Sequence, residues 1–107
     1  MPAWTVVLKE SVIEDLRALG DKEGRAVLEA ATARLTSDPL AETRNLKTLR
    51  PNPGAQRELR LLGKYRVLFT VKRAERRVTI VLVGEKRGES LRVQGRRFTA
   101  HESHSAP

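Results

Sequence analysis

Between residues 57 and 73 the chain reads RELRLLGKYRVLFTVKR, with cations recurring among good core residues. Alternation of this kind is the pattern of paired strands. A three-residue connection, Leu62 to Lys64, would set Arg60 directly opposite Arg66. Two like charges facing each other across a ladder repel, and an anion held between them reverses the sign of that interaction. The chemistry implied is therefore capture of an anionic group. Glu58 is the competing partner on the same face, but one carboxylate cannot compensate Arg60, Arg66 and Lys72 together. Further cations are Arg57 and Lys64 in the same stretch, Arg44, Lys47 and Arg50 before it, and Lys86, Arg87 and Arg96 after it. His101 and His104 are the only histidines. A terminal histidine is usually solvated, although a reference pKa of about 6.5 would suit His101 to acid–base work at neutral pH. Two histidines and scattered carboxylates lack metal-ligand spacing. GEKRG follows a strand with no helix after it, so it is no phosphate-cradling loop. No cofactor is expected.

Several elements must position these groups. Trp4–Lys9 is apolar and β-branched, a first strand. Residues 11–20 read as a helix, with Ser11 and Glu14 in capping-box spacing, Gly20 as a stop, and Val12, Ile13, Leu16 and Leu19 as the apolar stripe. A second helix, capped by Asp21, runs to about Ser37 and ends at Asp38-Pro39. The irregular stretch from Asp38 to Gly54 is basic and has room for a short helical turn that docks Leu46 and Leu49. Loops of this length are more often functional than idle. Three strands follow, around residues 58–61, 65–72 and 78–83, joined at Gly63 and through Arg73–Arg76. Beyond them Gly84, Gly88 and Gly95 interrupt any helix, leaving an extended segment near Ser90–Gln94.

The expected fold is α+β, an antiparallel β-sheet of about four strands with two N-terminal helices packed on one face. Residues 1–100 form a single domain and 101–107 a frayed tail. Trp4, Val6, Leu16, Leu28, Leu35, Val67, Phe69 and Ile80 should be mostly buried. The sheet's other face is mixed rather than polar, so part of it is expected to be covered as well.

The charge is lopsided. Residues 1–42 hold five Lys/Arg and eight Asp/Glu (5 − 8 = −3), and residues 43–107 hold sixteen and five (16 − 5 = +11), which sums to the net +8. A one-sided positive field of this size favours a polyanion or an acidic protein as partner. The chain has no cysteine, which suits the cytosol and excludes a disulfide framework or thiolate metal site. The five-residue apolar run near the N-terminus meets acid at once, unlike a signal peptide. Nothing approaches the roughly 18 apolar residues of a membrane span. A cytoplasmic protein with no membrane partner is expected.

The succession of strand, two helices, basic loop and meander, with DLRAL, DPLAETRNLKTLR, ELRLLGKYRVLFTV and VTIVLVGEKR, resembles the RelE/ParE superfamily of bacterial toxin–antitoxin toxins. The resemblance runs from about Trp4 to Arg87. It implies a toxin with a cognate acidic antitoxin as partner, but it spans two activities, ribosome-dependent mRNA cleavage and inhibition of DNA gyrase. A non-catalytic member that binds RNA or antitoxin is a third reading. In the nuclease branch a ribose 2′-hydroxyl attacks the adjacent phosphate, with mRNA and ribosome as partners. That chemistry needs cations, a base and an acid. The resemblance assigns Arg66 to phosphate contact as the Arg of the YR signature, Arg60 to the preceding strand, and Lys86 or Arg87 to the basic position after VG. Lys47 and Arg50 suit the RNA backbone, as do Arg57, Lys64, Arg87 and Arg96. The chain departs from RelE where a Tyr or His would follow the VG segment: Leu91, Arg92 and Val93 stand there. His101 and Glu58 remain as acid–base groups. The arginine-dense sheet favours RNA over gyrase.

Overall fold

The computed structural model describes residues 3–98. The order is β1 (Thr5–Leu8), α1 (Ser11–Ala18), α2 (Asp21–Ser37), β2 (Leu46–Thr48), β3 (Arg57–Leu61), β4 (Tyr65–Lys72), β5 (Arg77–Arg87), β6 (Ser90–Val93) and β7 (Arg96–Phe98). One 3-10 turn, Arg73–Glu75, joins β4 to β5. The α+β architecture expected from the sequence is the one observed, with a sheet of seven strands rather than about four. His101 and the 101–107 tail lie outside the described residues.

Alternation sorts the sheet into two faces because successive strand side chains point to opposite sides. Leu59, Tyr65, Val67, Phe69, Val78, Ile80 and Val83 face inward and are buried against Val12, Val27, Ala31 and Leu35 of the helices. Phe69 and Ile80 are essentially solvent-free, as expected. Trp4, Val6 and Leu16 pack against this core half-buried, and Leu28 is half-buried too. Truncating a fully buried aromatic such as Phe69 typically costs ~3–5 kcal/mol, so this face holds the fold together.

Three local expectations are corrected. The capping box at Ser11 does not form: Glu10 is already helical, with no side-chain cap. The orphan N–H groups of Val12 and Ile13 instead donate to the Lys9 and Glu10 carbonyls, a tightened first turn. Glu14 accepts from Arg17 Nη1 at 2.7 Å. Likewise Gly20, not Asp21, occupies the cap position of α2. The helical turn around Leu46 is replaced by the edge strand β2, whose Leu46 is completely buried against the core.

Strand β5 is the long spine of the sheet, and its outer edge is shared. Its start pairs in parallel with β1, and its end pairs antiparallel with β6. Between the two, α1 fills the gap. The buried Asp15 Oδ2 accepts the Val83 N–H at 3.0 Å, and Oδ1 accepts from Gln94 Nε2 at 2.7 Å. A carboxylate thus takes the place of a strand where the ladder is interrupted, and it ties the β6–β7 turn to the helix layer. In the first helix, therefore, Asp15 is buried and Ile13 is 44% exposed, the reverse of what hydropathy alone indicates.

Candidate functional site

The face of the sheet away from the helices stays open, and its strand registers set side chains in rows. One row is Lys47, Glu58, Leu68 and Leu82, across β2 to β5. The next is Arg60, Arg66 and Gly84. The facing arginines inferred from a three-residue connection are present as expected. The tight turn behind them has Leu62 and Gly63 both at positive φ, 52° and 80°. Glycine takes that conformation freely, whereas leucine rarely does. The arginine row ends at Gly84, where an added Cβ would meet the Arg92 carbonyl oxygen at 2.7 Å. Gly84 is buried beside Arg66, and β6 packs so closely over it that no side chain fits there.

The two arginines differ in their partners. Arg60 Nε is buried without a hydrogen-bond partner, and Glu58 Oε1 lies 3.7 Å away, an ion pair too long for a hydrogen bond. The same Glu58 oxygen is 4.0 Å from Lys47 Nζ. Among the described residues Arg66 donates to its neighbour's carbonyl alone, Tyr65 O, at 3.0 Å. Among the described residues no carboxylate lies within 4.0 Å of the Arg66 guanidinium. Arg44 completes the group, a contribution not anticipated from the sequence. Thr43 and Leu46 exchange backbone hydrogen bonds, and Asn45 O accepts the Arg60 N–H at 2.7 Å. This brings Arg44, Asn45, Arg60, Leu62, Gly63 and Arg66 around one recess of about 400 Å³. The signal was available in the arginine of TRN, but only the β2–β3 pairing shows where it goes.

The remaining sequence-predicted residues separate cleanly. Of the pair after VG, Lys86 lines the open face together with Glu58, whereas Arg87 pairs with Glu85 at 3.5 Å. Lys64 also pairs with Glu85 at 3.5 Å and lies 5.2 Å from the Tyr65 ring centroid. The Tyr65 hydroxyl, and after it Glu85, raise the Lys64 pKa above the ordinary lysine value. Arg50 joins Lys86 at the mouth of an apolar cleft, and Arg96 is exposed on β7. Arg57 lies on the opposite face of the sheet from Arg60. Its side chain is buried, with Nη1 donating to Glu42 Oε2 at 2.6 Å and to Thr48 Oγ1 at 2.8 Å, and Nη2 donating to the Ala41 carbonyl. The hydrogen bond from Arg57 holds the Glu42 carboxyl below the usual range, helped by that from Thr48. Both terminal nitrogens of this guanidinium are engaged within the fold, while its buried Nε has no hydrogen-bond partner. Tyr65 also faces the helices, donating to Glu23 Oε2 at 2.9 Å, and burial pushes its phenol up. Neither residue reaches the open face. Glu58 is the acidic group beside the arginines, and among the described residues no three His, Cys, Asp or Glu side chains converge as a metal site requires.

A helical hairpin packed on one face of an antiparallel meander is the architecture that the resemblance implied. The chain is similar in structure to a chain of the toxin–antitoxin complex RelBE2 from Mycobacterium tuberculosis, with a TM-score of 0.68 and 29% identity over 80% of this chain and 94% of that one. The resemblance to the RelE/ParE superfamily read from the sequence is thereby borne out. Comparisons with protein-family models and with curated proteins give no match. No helix among the described residues is long and apolar enough to cross a membrane.

Proposed function

We propose that the chain is the toxin of a toxin–antitoxin pair and that it cleaves mRNA on the ribosome, in the cytoplasm. The observation that carries this reading is the arginine recess. Arg60 and Arg66 face each other on an open surface, Arg44 closes the group, and Arg66 has no carboxylate partner among the described residues. Holding these cations together without an anion is unfavourable, so the arrangement is complementary to a phosphate whose charge grows during reaction. A planar guanidinium presents a fork that matches phosphate oxygens two at a time.

In the proposed reaction the ribose 2′-oxygen attacks the adjacent phosphorus while the bond to the 5′-oxygen of the next nucleotide breaks. The products are a cyclic phosphate and a free 5′-hydroxyl. Arg60 and Arg66 stabilise the negative charge on the non-bridging oxygens. Glu58, beside Arg60, takes the 2′-hydroxyl proton, and Lys86 supplies a proton or a positive charge to the leaving oxygen. Lys47 and Arg50 bind flanking phosphates. The lack of a tyrosine or histidine on the described open face supports a slow chemical step that relies on the ribosome to place the RNA.

The partner complement follows from the charge. The sequence charge of +11 over residues 43–107 suits an acidic antitoxin as partner. Primer extension on mRNA from cells expressing the chain should give discrete stops within translated regions, absent when translation is blocked. Intact mRNA with gyrase-dependent breaks in DNA would replace this reading with gyrase inhibition.

A further inference from the structure

The tip of the β6–β7 hairpin is held differently from its root. At the root, Glu85, Lys86 and Arg87 of β5 pair with Arg92, Leu91 and Ser90. The ladder stops there. Two residues further back along β5, the Val83 N–H donates to Asp15 of α1 rather than to β6. The hairpin turn, Gln94-Gly95, lies beyond the ladder and reaches the helix layer through one side chain. Gln94 Nε2 donates to Asp15 Oδ1 at 2.7 Å, while Asp15 Oδ2 takes the Val83 N–H at 3.0 Å. The 3% exposed Asp15 thus bridges the fork between β5 and the hairpin tip, with one carboxylate oxygen on each branch. Two donors converge on one short side chain, which needs two acceptors; aspartate has them and asparagine does not.

The turn itself is unusual in a way that points to this contact. Gln94 and Gly95 both have positive φ, 55° and 77°, as a tight two-residue hairpin connection requires. The first of these positions ordinarily goes to Asn, Asp or Gly. Glutamine is less at ease there, but its side chain is one methylene longer than that of asparagine, and the longer reach carries the amide to Asp15. A disfavoured backbone conformation persists where surrounding contacts over-determine it. The residue after the turn is Arg96, exposed on β7 and one of the cations expected to bind RNA. Arg96 pairs with Val93, two positions from Leu91, and Leu91 pairs with Lys86. Strand alternation therefore puts Arg96 on the same open face as Lys86.

We propose that Asp15 and Gln94 are positioning residues for RNA binding: they form a latch that fixes the hairpin tip and so holds Arg96 in place on the open face. The proposal rests on the RNA reading above and adds how a cation outside the arginine recess is kept ready. Without the latch, the tip is fixed only through the three residue pairs at its root. An arginine on a loosely held turn must be ordered when it meets a phosphate, and that ordering subtracts from affinity. With the latch closed, the fold has done the ordering beforehand.

The test uses the full chain and a short single-stranded RNA with 2′-O-methyl groups to prevent cleavage, its affinity measured over a range of salt. Arg96→Ala should weaken binding and flatten the slope of log affinity against log salt by about 0.7, the value for one phosphate contact on a single strand. Gln94→Ala opens the latch but leaves the buried bond to Val83, so its melting temperature should stay near that of wild type. Asp15→Asn can serve Val83 or Gln94 but not both. Each should lose part of that affinity and slope, and neither should lose more when Arg96 is already alanine. Asp15→Asn combined with Gln94→Glu restores complementarity at unchanged net charge, because the new amide accepts from Val83 and donates to the new carboxylate. This pair should recover wild-type affinity and slope. Gln94→Ala decides alone should Asp15→Asn fail to fold. If the latch variants bind as wild type does while Arg66→Ala loses affinity, the latch is wrong and the RNA reading survives. Losses that add to that of Arg96→Ala would show that the latch does not act through Arg96, and the proposal falls. If wild type binds no RNA, or Arg66→Ala and Arg96→Ala both bind normally, the RNA reading falls and the latch with it.

Discussion

Arg57 and Arg60 stand three residues apart on one strand, on opposite faces of the same sheet, and their surroundings are opposite. Arg57 is buried, with hydrogen bonds to a carboxylate, a hydroxyl and a backbone carbonyl. Arg60 faces Arg66 and its carboxylate neighbour stands off at 3.7 Å, although the Nε atoms of Arg57 and Arg60 are alike buried without a hydrogen-bond partner. A buried charge persists only when it is paired and hydrogen-bonded, and Arg57 meets that condition. The open-face arginines are partly exposed and have no comparable set of acceptors among the described residues. The contrast separates an arginine held by the fold's own acceptors from arginines that face one another on the open side, a distinction that charge counting in the sequence cannot make.

The sharpest way to break this contrast is to remove Arg66. Loss of one preorganised donor to a developing oxyanion typically costs ~10²–10³ in rate, so Arg66→Ala should abolish growth arrest when the chain is expressed. Its melting temperature should hold or rise, because a like-charge repulsion with Arg60 is relieved. Arg66→Lys keeps the charge without the fork and should recover activity only in part. A well-folded Arg66→Ala protein with full toxicity would end the phosphate reading.

Arg57→Ala should do the converse. The Ala41 carbonyl, Thr48 and Glu42 lose their shared donor, and the β2 edge loses its link to the segment before it. The melting temperature should fall by roughly 5–15 °C. Affinity of the folded fraction for single-stranded RNA should be unchanged. A weaker RNA complex at full stability would place Arg57 in the binding surface after all.

Much of this geometry was legible in the sequence where short-range rules decide it. The Gly63 turn fixes the Arg60–Arg66 register, and strand alternation then assigns Val67 and Phe69 to the core. Legibility fails where distant segments decide. A three-residue strand such as β2 has too little periodicity to announce itself, and its partner β3 begins nine residues later. Asp15 reads as the polar side of an amphipathic helix, yet it is buried because the β5 edge offers an unpaired N–H at Val83. Phe98 sits among arginines near the end of the sequence with no local pattern, and only the β5–β6–β7 pairing carries it to the open face. Arg57 and Arg60 look alike in RELRL. What separates them is Glu42, fifteen residues before Arg57 and invisible to a strand pattern.

The smallest expected effect tests the same contrast through protons. Arg57 holds the Glu42 carboxyl below its ordinary pKa. A depressed folded-state pKa means that the unfolded chain takes up the proton first as acid is added. The stabilisation is therefore present above the ordinary glutamate pKa and disappears as pH falls through the lower folded value. Glu42 is mostly solvent-exposed, 63% at its side chain, so the effect is screened and should amount to roughly 1–3 °C. Thermal melts of wild type and Glu42→Gln should differ by that amount at pH 7 and converge as pH drops below about 4. In the Arg57→Ala background the same substitution should make a smaller difference, because only the Thr48 hydrogen bonds then favour the ionised form. A gap between wild type and Glu42→Gln that stays constant to low pH would mean that the pair contributes packing rather than charge. The Arg57 side of the comparison would then rest on its hydrogen bonds to Thr48 and the Ala41 carbonyl alone.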